Sequence, residues 1–286
     1  MKTTKWTGIL LLGLLLCMAL LWPQSPAVAD GSVSALYINV GKADAALYFL
    51  GNQRFLVDTG TKDSYDQLER VLKAYDITRL DGVLITHTDK DHVGGLKKLL
   101  KSDIWVERLY AGTLHSEASL DVHPVYEAAQ KYHVPLTWLR AGDSFSVGNG
   151  VFQVLGPLTQ DAENENNNSL VLQLKTPDGS FLLTGDMELE EEASLTSEGL
   201  IARADVLKVP HHGEDDATSR TLALLVKPQW AVISTSTAEE PDTPDHKVLS
   251  RLWEAKAGVA ITQEAEVGIL ITLSEGTATA ESINWK

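Results

Sequence analysis

The sequence predicts a layered α/β fold, with helices outside packed sheets, and three observations lead to this class. Short apolar or alternating segments recur along the chain, and each is followed by a turn signal or by a pattern of helical period. The second half of the chain repeats this order of strands and helices. Clusters of histidine and aspartate come directly after apolar strands, where loops at a sheet edge can bring binding groups together.

The first half is predicted to open with strands and then to alternate strands with helices. Apolar and alternating runs predict strands at residues 35–40, 45–50, 54–58, 82–86, 108–111, 136–139 and 151–155. Helical spacing of apolar residues predicts helices at residues 64–75, 94–101 and 124–133.

The second half is predicted in the same way, with strands at residues 169–176, 181–184, 205–209 and 230–234. Helices are expected at residues 188–198, 219–226 and 246–256. A final β segment, residues 258–272 and 277–284, is expected to close the chain.

The first 29 residues are predicted to be a secretory signal that is cleaved. Lys2 and Lys5 precede an apolar run at residues 8–22, and Ala-Val-Ala at residues 27–29 provides a small-x-small cleavage site. The alternative is a retained membrane anchor, although a run of about 15 residues is short for a bilayer span of about 20. We therefore expect a secreted, extracellular protein with no stable membrane span and one domain at residues 30–286, with anchoring by an uncleaved signal as the alternative.

Composition limits the chemistry that residues 30–286 can support. The single cysteine, Cys17, lies in the predicted signal, so any metal site must use nitrogen and oxygen ligands. The net charge of the full chain is −15, and it is about −17 without the two signal lysines. Because nucleic-acid affinity comes largely from lysine and arginine on phosphates, this charge argues against tight, metal-independent nucleic-acid binding.

The segment THTDKDHVGG places two histidines and two aspartates within six residues, directly after an apolar strand. In an extended loop, residues i and i+2 point the same way, so His87 and Asp89 can reach one point. Asp91 and His92, after an intervening turn, can reach a neighbouring point, which would allow two cations to be held. The final glycine pair is expected to let the backbone turn tightly into a helix. The alternative is a polar loop with a solvated histidine and a helix-capping aspartate.

This segment resembles the H-x-H-x-D-H signature of the metallo-β-lactamase fold, with an aspartate in place of the second histidine. Together with other segments it is similar to the β-lactamase-like domain of ComEC-type DNA-uptake proteins. The matching segments occur in the expected order as NVGKADA (39–45), LVDTG (56–60), HTDKDHVGG (87–95), NNNSLVL (166–172), LTGD (183–186) and LKVPHHG (207–213). The resemblance implies a four-layer αββα sandwich and a hydrolase domain at residues 30–286.

The resemblance also implies the residues that bind metal. His87 and Asp89 would bind one ion, Asp91 and His92 the other, and Asp186 would bridge the two. The later histidine ligand of the family matches the pair at residues 211 and 212, which the sequence does not resolve, and we favour His211. The residues predicted to take part in catalysis or to contact the substrate are Asp91, His212 and His246.

Several other positions are open. Asp58 is predicted to accept hydrogen bonds and to orient the histidine loop, whereas Asp44 could be structural or functional. The family's third histidine for the first metal has no counterpart, and Asn168 could donate its side-chain carbonyl there or belong to a plain loop. His115, His123 and His133 are expected to be surface or helix residues.

These residues predict two divalent ions as cofactors. Replacing an imidazole by a carboxylate makes the site harder and shifts its preference from Zn²⁺ toward Mn²⁺ or Mg²⁺, although Zn²⁺ tolerates aspartate. Two metals about 3.5–4 Å apart could activate a water and stabilise both oxygens of an in-line displacement.

The predicted function is therefore a secreted metal-dependent hydrolase, a phosphodiesterase or nuclease. It would act on a phosphodiester or a small anionic substrate, with DNA reached through the metals rather than through a basic surface. One alternative is a lactone, lactam or thioester hydrolase on the same fold. The other is a non-catalytic metal-binding module.

Overall fold

The computed structural model describes residues 33–116 and 119–285. The predicted signal segment, residues 1–29, lies outside these residues, as does Cys17. No helix in the described part of the chain combines the length and apolarity needed to cross a membrane.

The described strands are, in chain order, β1 (Val33–Ile38), β2 (Ala46–Leu50), β3 (Gln53–Val57), β4 (Arg79–Leu80), β5 (Gly82–Ile85), β6 (Trp105–Val106), β7 (Leu109–Gly112), β8 (Leu136–Leu139), β9 (Ser144–Val147), β10 (Gly150–Gly156), β11 (Val171–Thr176), β12 (Gly179–Leu183), β13 (Val206–Lys208), β14 (Trp230–Ile233), β15 (Gly258–Ile261), β16 (Gly268–Ser274) and β17 (Thr277–Ile283). The described α-helices are α1 (Tyr65–Ala74), α2 (Lys90–Val93), α3 (Leu96–Leu99), α4 (Pro124–Tyr132), α5 (Leu189–Ser197), α6 (Arg220–Val226) and α7 (His246–Glu254). Short 3₁₀ turns occupy Leu120–Val122, Glu165–Asn168, His211–Gly213 and Thr262–Glu264.

Two large sheets form the centre of the described structure. Eight strands make one sheet in the order β17-β16-β1-β2-β3-β5-β7-β8, and seven make the other in the order β15-β14-β13-β12-β11-β10-β9. Strands β3, β5, β7 and β8 run parallel, and so do β12, β13, β14 and β15. The carboxyl ends of each parallel group therefore lie at one edge of its sheet, where binding loops gather.

Apolar side chains fill three spaces between the described layers. Between the sheets, aromatic rings from both sides meet, with Tyr48 and Phe181 centroids 5.6 Å apart and Phe55 and Phe152 centroids 5.0 Å apart. Helices α1, α3 and α4 pack on the outer face of the first sheet. Helices α5, α6 and α7 pack on the outer face of the second. The predicted four-layer αββα sandwich is confirmed.

The structure departs from the predicted elements in a few places. The helix expected at residues 94–101 is shorter, α3 at Leu96–Leu99, and the preceding short helix α2 was not predicted. The strand expected at 258–272 is divided by a 3₁₀ turn. Strands β4, β6 and β9 were not predicted, because β4 and β6 have two residues each and β9 alternates exposed serines with apolar residues at a sheet edge.

The glycine pair at the end of the metal-binding segment has a different role from the predicted tight turn. Gly94 and Gly95 have ordinary helical backbone angles, with φ of −60° and −79°. A Cβ on Gly95 would lie 2.2 Å from the Thr59 carbonyl oxygen, and one on Gly94 would lie 2.2 Å from the Lys90 carbonyl oxygen. These glycines are therefore required because backbones approach closely there.

Candidate metal centre

The polar side chains predicted from sequence gather where strands of both sheets end. Strand β3 is followed by Asp58, β5 by Thr86 and His87, β12 by the turn that carries Asp186, and β13 by the turn that carries His212. The first two strands belong to one sheet and the last two to the other. The site is therefore built across the seam between the sheets.

Four of these residues converge on one point. Ligand atoms of Asp91, His92, Asp186 and His212 all lie within 4.8 Å of one another. Asp186 Oδ2 lies 3.0 Å from His92 Nε2 and 3.1 Å from His212 Nε2. Asp91 Oδ2 lies 3.3 Å from His212 Nε2. Two imidazoles and two carboxylates at these separations are a donor set that suits a divalent cation.

Both imidazoles of this group are oriented by hydrogen bonds on their far side. His212 Nδ1 donates to the Ser234 carbonyl over 2.8 Å. His92 Nδ1 donates to Asp58 Oδ2 over 2.9 Å. With Nδ1 protonated, the Nε2 atom of a neutral ring carries the lone pair, and that atom faces Asp186 in both cases.

Asp58 has the role predicted for it. Its carboxylate accepts from the Thr86 amide at 2.8 Å and from the Thr86 hydroxyl at 2.9 Å, as well as from His92. Burial raises the pKa of Asp58, and the adjacent His92 opposes this increase. The backbone of Asp58 has a φ of 59°, an uncommon conformation for a residue other than glycine. This conformation marks the turn that follows β3 and leads toward α1.

His87 and Asp89 form a second, looser pair of donors. The Thr86 hydroxyl gives its proton to Asp58, so its oxygen can accept from His87 Nδ1, 3.2 Å away. His87 Nε2 then holds a lone pair and lies 3.8 Å from Asp89 Oδ2. Burial lowers the pKa of His87 to about 3, which keeps the ring neutral. The Asp89 side chain is 49% exposed.

Buried polar atoms without partners test whether these residues fit a metal. His87 Nε2 and Asp186 Oδ1 are buried and make no hydrogen bond within the described structure. His212 Nε2 is also buried, and neither of the two carboxylates near it is aligned to form a hydrogen bond with it. Leaving such atoms unsatisfied is costly, and a bound cation would satisfy all three. The residues therefore fit a divalent ion in the group of four, and His87, whose ring centroid lies 4.1 Å from that of His92, is a further donor beside it.

The charges of the group are strongly coupled. Although burial favours the neutral acid, His212 and His92 lower the pKa of Asp186 well below its ordinary value. Burial likewise opposes ionisation of Asp91, yet His212 and His92 lower its pKa to about 2. Burial opposes protonation of His212, but Asp186 and Asp91 raise its pKa to about 9. The two carboxylates are thus ionised and attract positive charge.

The geometry favours His212 over the predicted His211 as the histidine that accompanies Asp91, His92 and Asp186. His211 Nδ1 lies 2.8 Å from Asp216 Oδ1 and 3.7 Å from Glu188 Oε1, in a separate cluster. Both histidines have positive φ, 46° and 50°, so their backbone does not alternate as an extended strand would. It is therefore His212 that reaches Asp91 and Asp186.

His246 is at the surface rather than among the converging residues. It begins α7, and its side chain is 86% exposed. The preceding Asp245 donates its amide to the Gly213 carbonyl over 2.8 Å, which places α7 next to the turn that carries His212. Contact between His246 and substrate stays a prediction.

The loop at residues 161–169 supports the site instead of supplying a ligand. Asn168 Oδ1 accepts from the Asp161 amide at 2.8 Å, so its carbonyl is engaged within the loop. Glu165 accepts from the Thr88 amide and hydroxyl at 3.0 and 2.6 Å, from the Ser116 amide at 2.6 Å and from the Asn168 side chain at 3.1 Å. Glu165 therefore fixes Thr88, between His87 and Asp89. This role of Glu165 was not predicted from the sequence.

A buried ion pair lies behind His92 and was also missed. Lys208 Nζ is 2.7 Å from Asp44 Oδ2, and this carboxylate oxygen is 3.9 Å from His92 Nδ1. Lys208 also donates to the Val209 carbonyl at 2.8 Å. The sequence did offer an indication of this ion pair, because Lys208 ends an apolar strand and a lysine is almost never buried without a partner. Asp44 is thus placed in a supporting position.

The expectation for the remaining histidines holds only in part. His133 is exposed at the end of α4, but His115 and His123 are buried. Their ring centroids lie 4.8 Å apart, and His123 packs on Trp138 at 5.0 Å. A surface position is therefore wrong for His115, and His123 caps α4 from a buried position.

The chain belongs to the metallo-beta-lactamase superfamily, whose family model matches residues 38–236, more than half of the sequence. Among curated proteins it is similar to ComE operon protein 3 of Bacillus subtilis, with 31% identity over 79% of this chain and 31% of that protein. It is also similar to Recombination protein 2 of Haemophilus influenzae, with 28% identity over 87% of this chain and 30% of that protein. The resemblance to ComEC-type competence proteins is therefore confirmed.

The chain spans about a third of the length of these curated relatives. Among solved structures, the metallo-beta-lactamase fold protein YhfI of Bacillus subtilis matches with a TM-score of 0.54 and 14% identity, covering 84% of this chain and 99% of that one. That likeness shows the fold. Membership of the superfamily assigns the chain to metal-dependent hydrolases and implies divalent metal binding.

Proposed function

We propose that this protein is a two-metal phosphodiesterase, with nuclease activity as one form of that reaction. The observation that carries the proposal is the group of Asp91, His92, Asp186 and His212, together with the unpartnered Nε2 atom of His87 beside it. Similarity to proteins of DNA uptake and recombination supports a phosphodiester as the bond that is cleaved. Secretion, as predicted from the first 29 residues, is part of the proposal.

The residues have distinct tasks in this reaction. Asp186 lies between the two imidazoles, and its free Oδ1 can serve the second position near His87. Two divalent ions bound there would acidify a water and offset charge on the transferring phosphoryl group. Asp91 is ionised and partly exposed, so it can accept a hydrogen bond from the attacking water and orient it.

A hydrolase of small substrates is the second candidate, and the charge of the site margin favours it over a processive nuclease. Glu188, Glu214, Asp216 and Glu240 lie in the segments around the centre, within contact of His211 or of Lys42. A negative margin repels a long polyanion more than a substrate with a single charge. A small diester, or an ester or lactone without charge, would meet less repulsion.

The test is hydrolysis of bis(p-nitrophenyl) phosphate, single-stranded DNA and nitrocefin by protein loaded with Mn²⁺ or Zn²⁺. We expect diester cleavage, and we expect Asp186→Asn to lower it at least about 100-fold, since removal of a ligand should cost no less than loss of its supporting hydrogen bonds. The matched control is Asp63→Asn, which removes an exposed carboxylate outside the candidate metal-binding groups of the described residues. Equal rates for wild type and Asp186→Asn, or turnover of nitrocefin alone, would contradict the proposal.

Metal content separates an enzyme from a binding module. We expect two divalent ions per chain after reconstitution, with the ion beside His87 and Asp89 bound more weakly because Asp89 is half exposed. Elemental analysis of wild type and of Asp89→Ala checks this. Retention of the ion in the group of four alone would support the non-catalytic metal-binding alternative, and retention of no ion would contradict both.

A further inference from the structure

The loop between β1 and β2 is fixed against the metal-binding segment. The Asp44 amide donates to the Asp91 carbonyl over 3.1 Å, and the Gly60 amide donates to the Asp44 carbonyl over 2.7 Å. At the start of the loop, the Asn39 side chain donates to the Ala265 carbonyl over 2.8 Å. Because both ends are held, Lys42 in the middle of the loop has a defined place at the margin of the site.

The Lys42 ammonium is held beside the centre by acidic residues. It forms an ion pair with Glu214, two residues after His212, and lies 4.0 Å from Glu240 Oε2. Partial burial disfavours the charged form, yet Glu214, Glu240 and Asp91 together raise the pKa of Lys42 above its ordinary value. Lys42 therefore stays charged, and its charge acts on Asp91, one of the four converging residues.

Two other basic residues, next to the turn that carries His212, are paired with a carboxylate away from the group of four. Lys247 and Arg251, both on α7, pair with Asp215 at 2.5 and 2.7 Å. The acidic residues around the centre would repel an approaching anion, and the metal ions alone would have to overcome this. Lys42 is held by the segments that carry Asp91 and His212, so its charge offsets part of that repulsion beside the centre.

We infer that Lys42 binds an anionic oxygen of the substrate's phosphate and so selects singly charged phosphodiesters over uncharged esters and lactones. This inference rests on the function proposed above. The side chains of Glu214 and Glu240 are 29% and 46% exposed, and ion pairs with that access to water contribute little stability. The ammonium can therefore exchange a carboxylate for a phosphate oxygen. Glu214 and Glu240 keep it in place until the substrate arrives.

The test compares Lys42→Met with Lys247→Met, which removes a lysine that pairs with Asp215 instead of Glu214. Inorganic phosphate is titrated into the Mn²⁺-loaded proteins by calorimetry. We expect its dissociation constant to rise about tenfold in Lys42→Met and to stay unchanged in Lys247→Met. Lys42→Arg should retain most of the affinity because it keeps the charge. Metal content and the unfolding midpoint of each variant are measured first, so that a folding defect is recognised.

Kinetics supply a second readout. For bis(p-nitrophenyl) phosphate we expect Lys42→Met to raise KM about tenfold with little change in kcat, and to leave hydrolysis of p-nitrophenyl acetate unaffected. Unchanged phosphate affinity in Lys42→Met, or an equal loss in both methionine variants, overturns the inference. Phosphate affinity that depends on Lys42 in a protein that cleaves no diester supports the inference and removes the proposed function. Diester cleavage that does not depend on Lys42 supports the proposed function and overturns the inference about Lys42.

Discussion

Asp58 determines which nitrogen of His92 carries the lone pair. Its Oδ2 atom is 2.9 Å from His92 Nδ1, and the same carboxylate accepts both the amide and the hydroxyl of Thr86. As long as an acceptor faces Nδ1, the proton of a neutral His92 stays there and Nε2 remains free to bind a cation.

Replacing Asp58 by asparagine is expected to weaken metal binding about 10- to 100-fold. The amide nitrogen would face His92 Nδ1, which would then have to accept, so the ring proton would move to Nε2 and block the ligand position. Isothermal titration with Mn²⁺ measures the effect. Asp63→Asn, an exposed aspartate shortly after Asp58 in the chain, is the control, and an equal loss in both variants would show that His92 does not depend on Asp58.

Single residues also show what sequence could and could not predict. Asp91, His92 and Asp186 converge as their positions after apolar strands predicted. The choice between His211 and His212 could not be made from sequence, because it depends on two consecutive residues with positive φ. The ion pair of Lys208 with Asp44 was not predicted, because Asp44 is distant in the sequence and lies in a loop of the other sheet.

At the scale of elements, helix α5 holds a carboxylate in an unfavourable place. Glu191 is buried, and its Oε1 accepts from the Leu158 amide over 3.0 Å. A Cβ on Gly156 would lie 2.7 Å from the same oxygen, so the helix packs closely on the end of β10. Burial raises the pKa of Glu191 from 4.5 to about 7, which means that the folded chain holds its proton more tightly than the unfolded chain.

The stability contribution of Glu191 is therefore complete below pH 4.5 and is lost as the pH rises through about 7. We expect Glu191→Gln to exceed the wild type in free energy of unfolding by about 2 kcal/mol near pH 8, and to match it near pH 4. Urea unfolding at the two pH values measures the difference. Glu190→Gln, the exposed neighbour, should show no such pH dependence. A gain that is the same at both pH values would refute the explanation.

Most elements could be predicted because their buried faces give the apolar residues a regular spacing in the sequence. The strands between the sheets and the helices α1, α4, α5, α6 and α7 have continuous or periodic apolar faces. The short helix α2 was not predicted, and after its end the Gly95 amide donates to the Gly60 carbonyl over 3.1 Å, a contact between segments distant in the sequence. The short strands β4 and β6 pair with each other and have too few residues to show a period.

At the scale of the whole molecule, the metal centre joins the two sheets. Asp58, His87, Asp91 and His92 follow strands of the first sheet, whereas Asp186 and His212 follow strands of the second. Bound cations would therefore link the two halves of the sandwich and neutralise carboxylates in a chain whose net charge is −15. Folding and metal binding should be coupled.

Removing the metal is expected to lower the unfolding midpoint by about 5–10 °C. A free cation at 100 times its dissociation constant stabilises by about 2.7 kcal/mol, and about 2–4 °C corresponds to each kcal/mol for a chain of this size. Thermal unfolding with and without EDTA measures the shift. Asp186→Asn should unfold at the same temperature in both conditions, and a full EDTA effect in that variant would show that the stabilising ion lies elsewhere.

Glu165 has a consequence for any attempt to alter substrate choice by exchanging loops. One carboxylate receives hydrogen bonds from the Thr88 segment, from Ser116 and from its own loop at Asn168. A transplanted loop that lacks a glutamate at this position would leave the Thr88 amide without an acceptor and shift His87 and Asp89. The loops at this edge of the sheets therefore depend on one another. A successful loop exchange must transfer residues 161–169 together with the Thr88 and Ser116 segments that Glu165 binds.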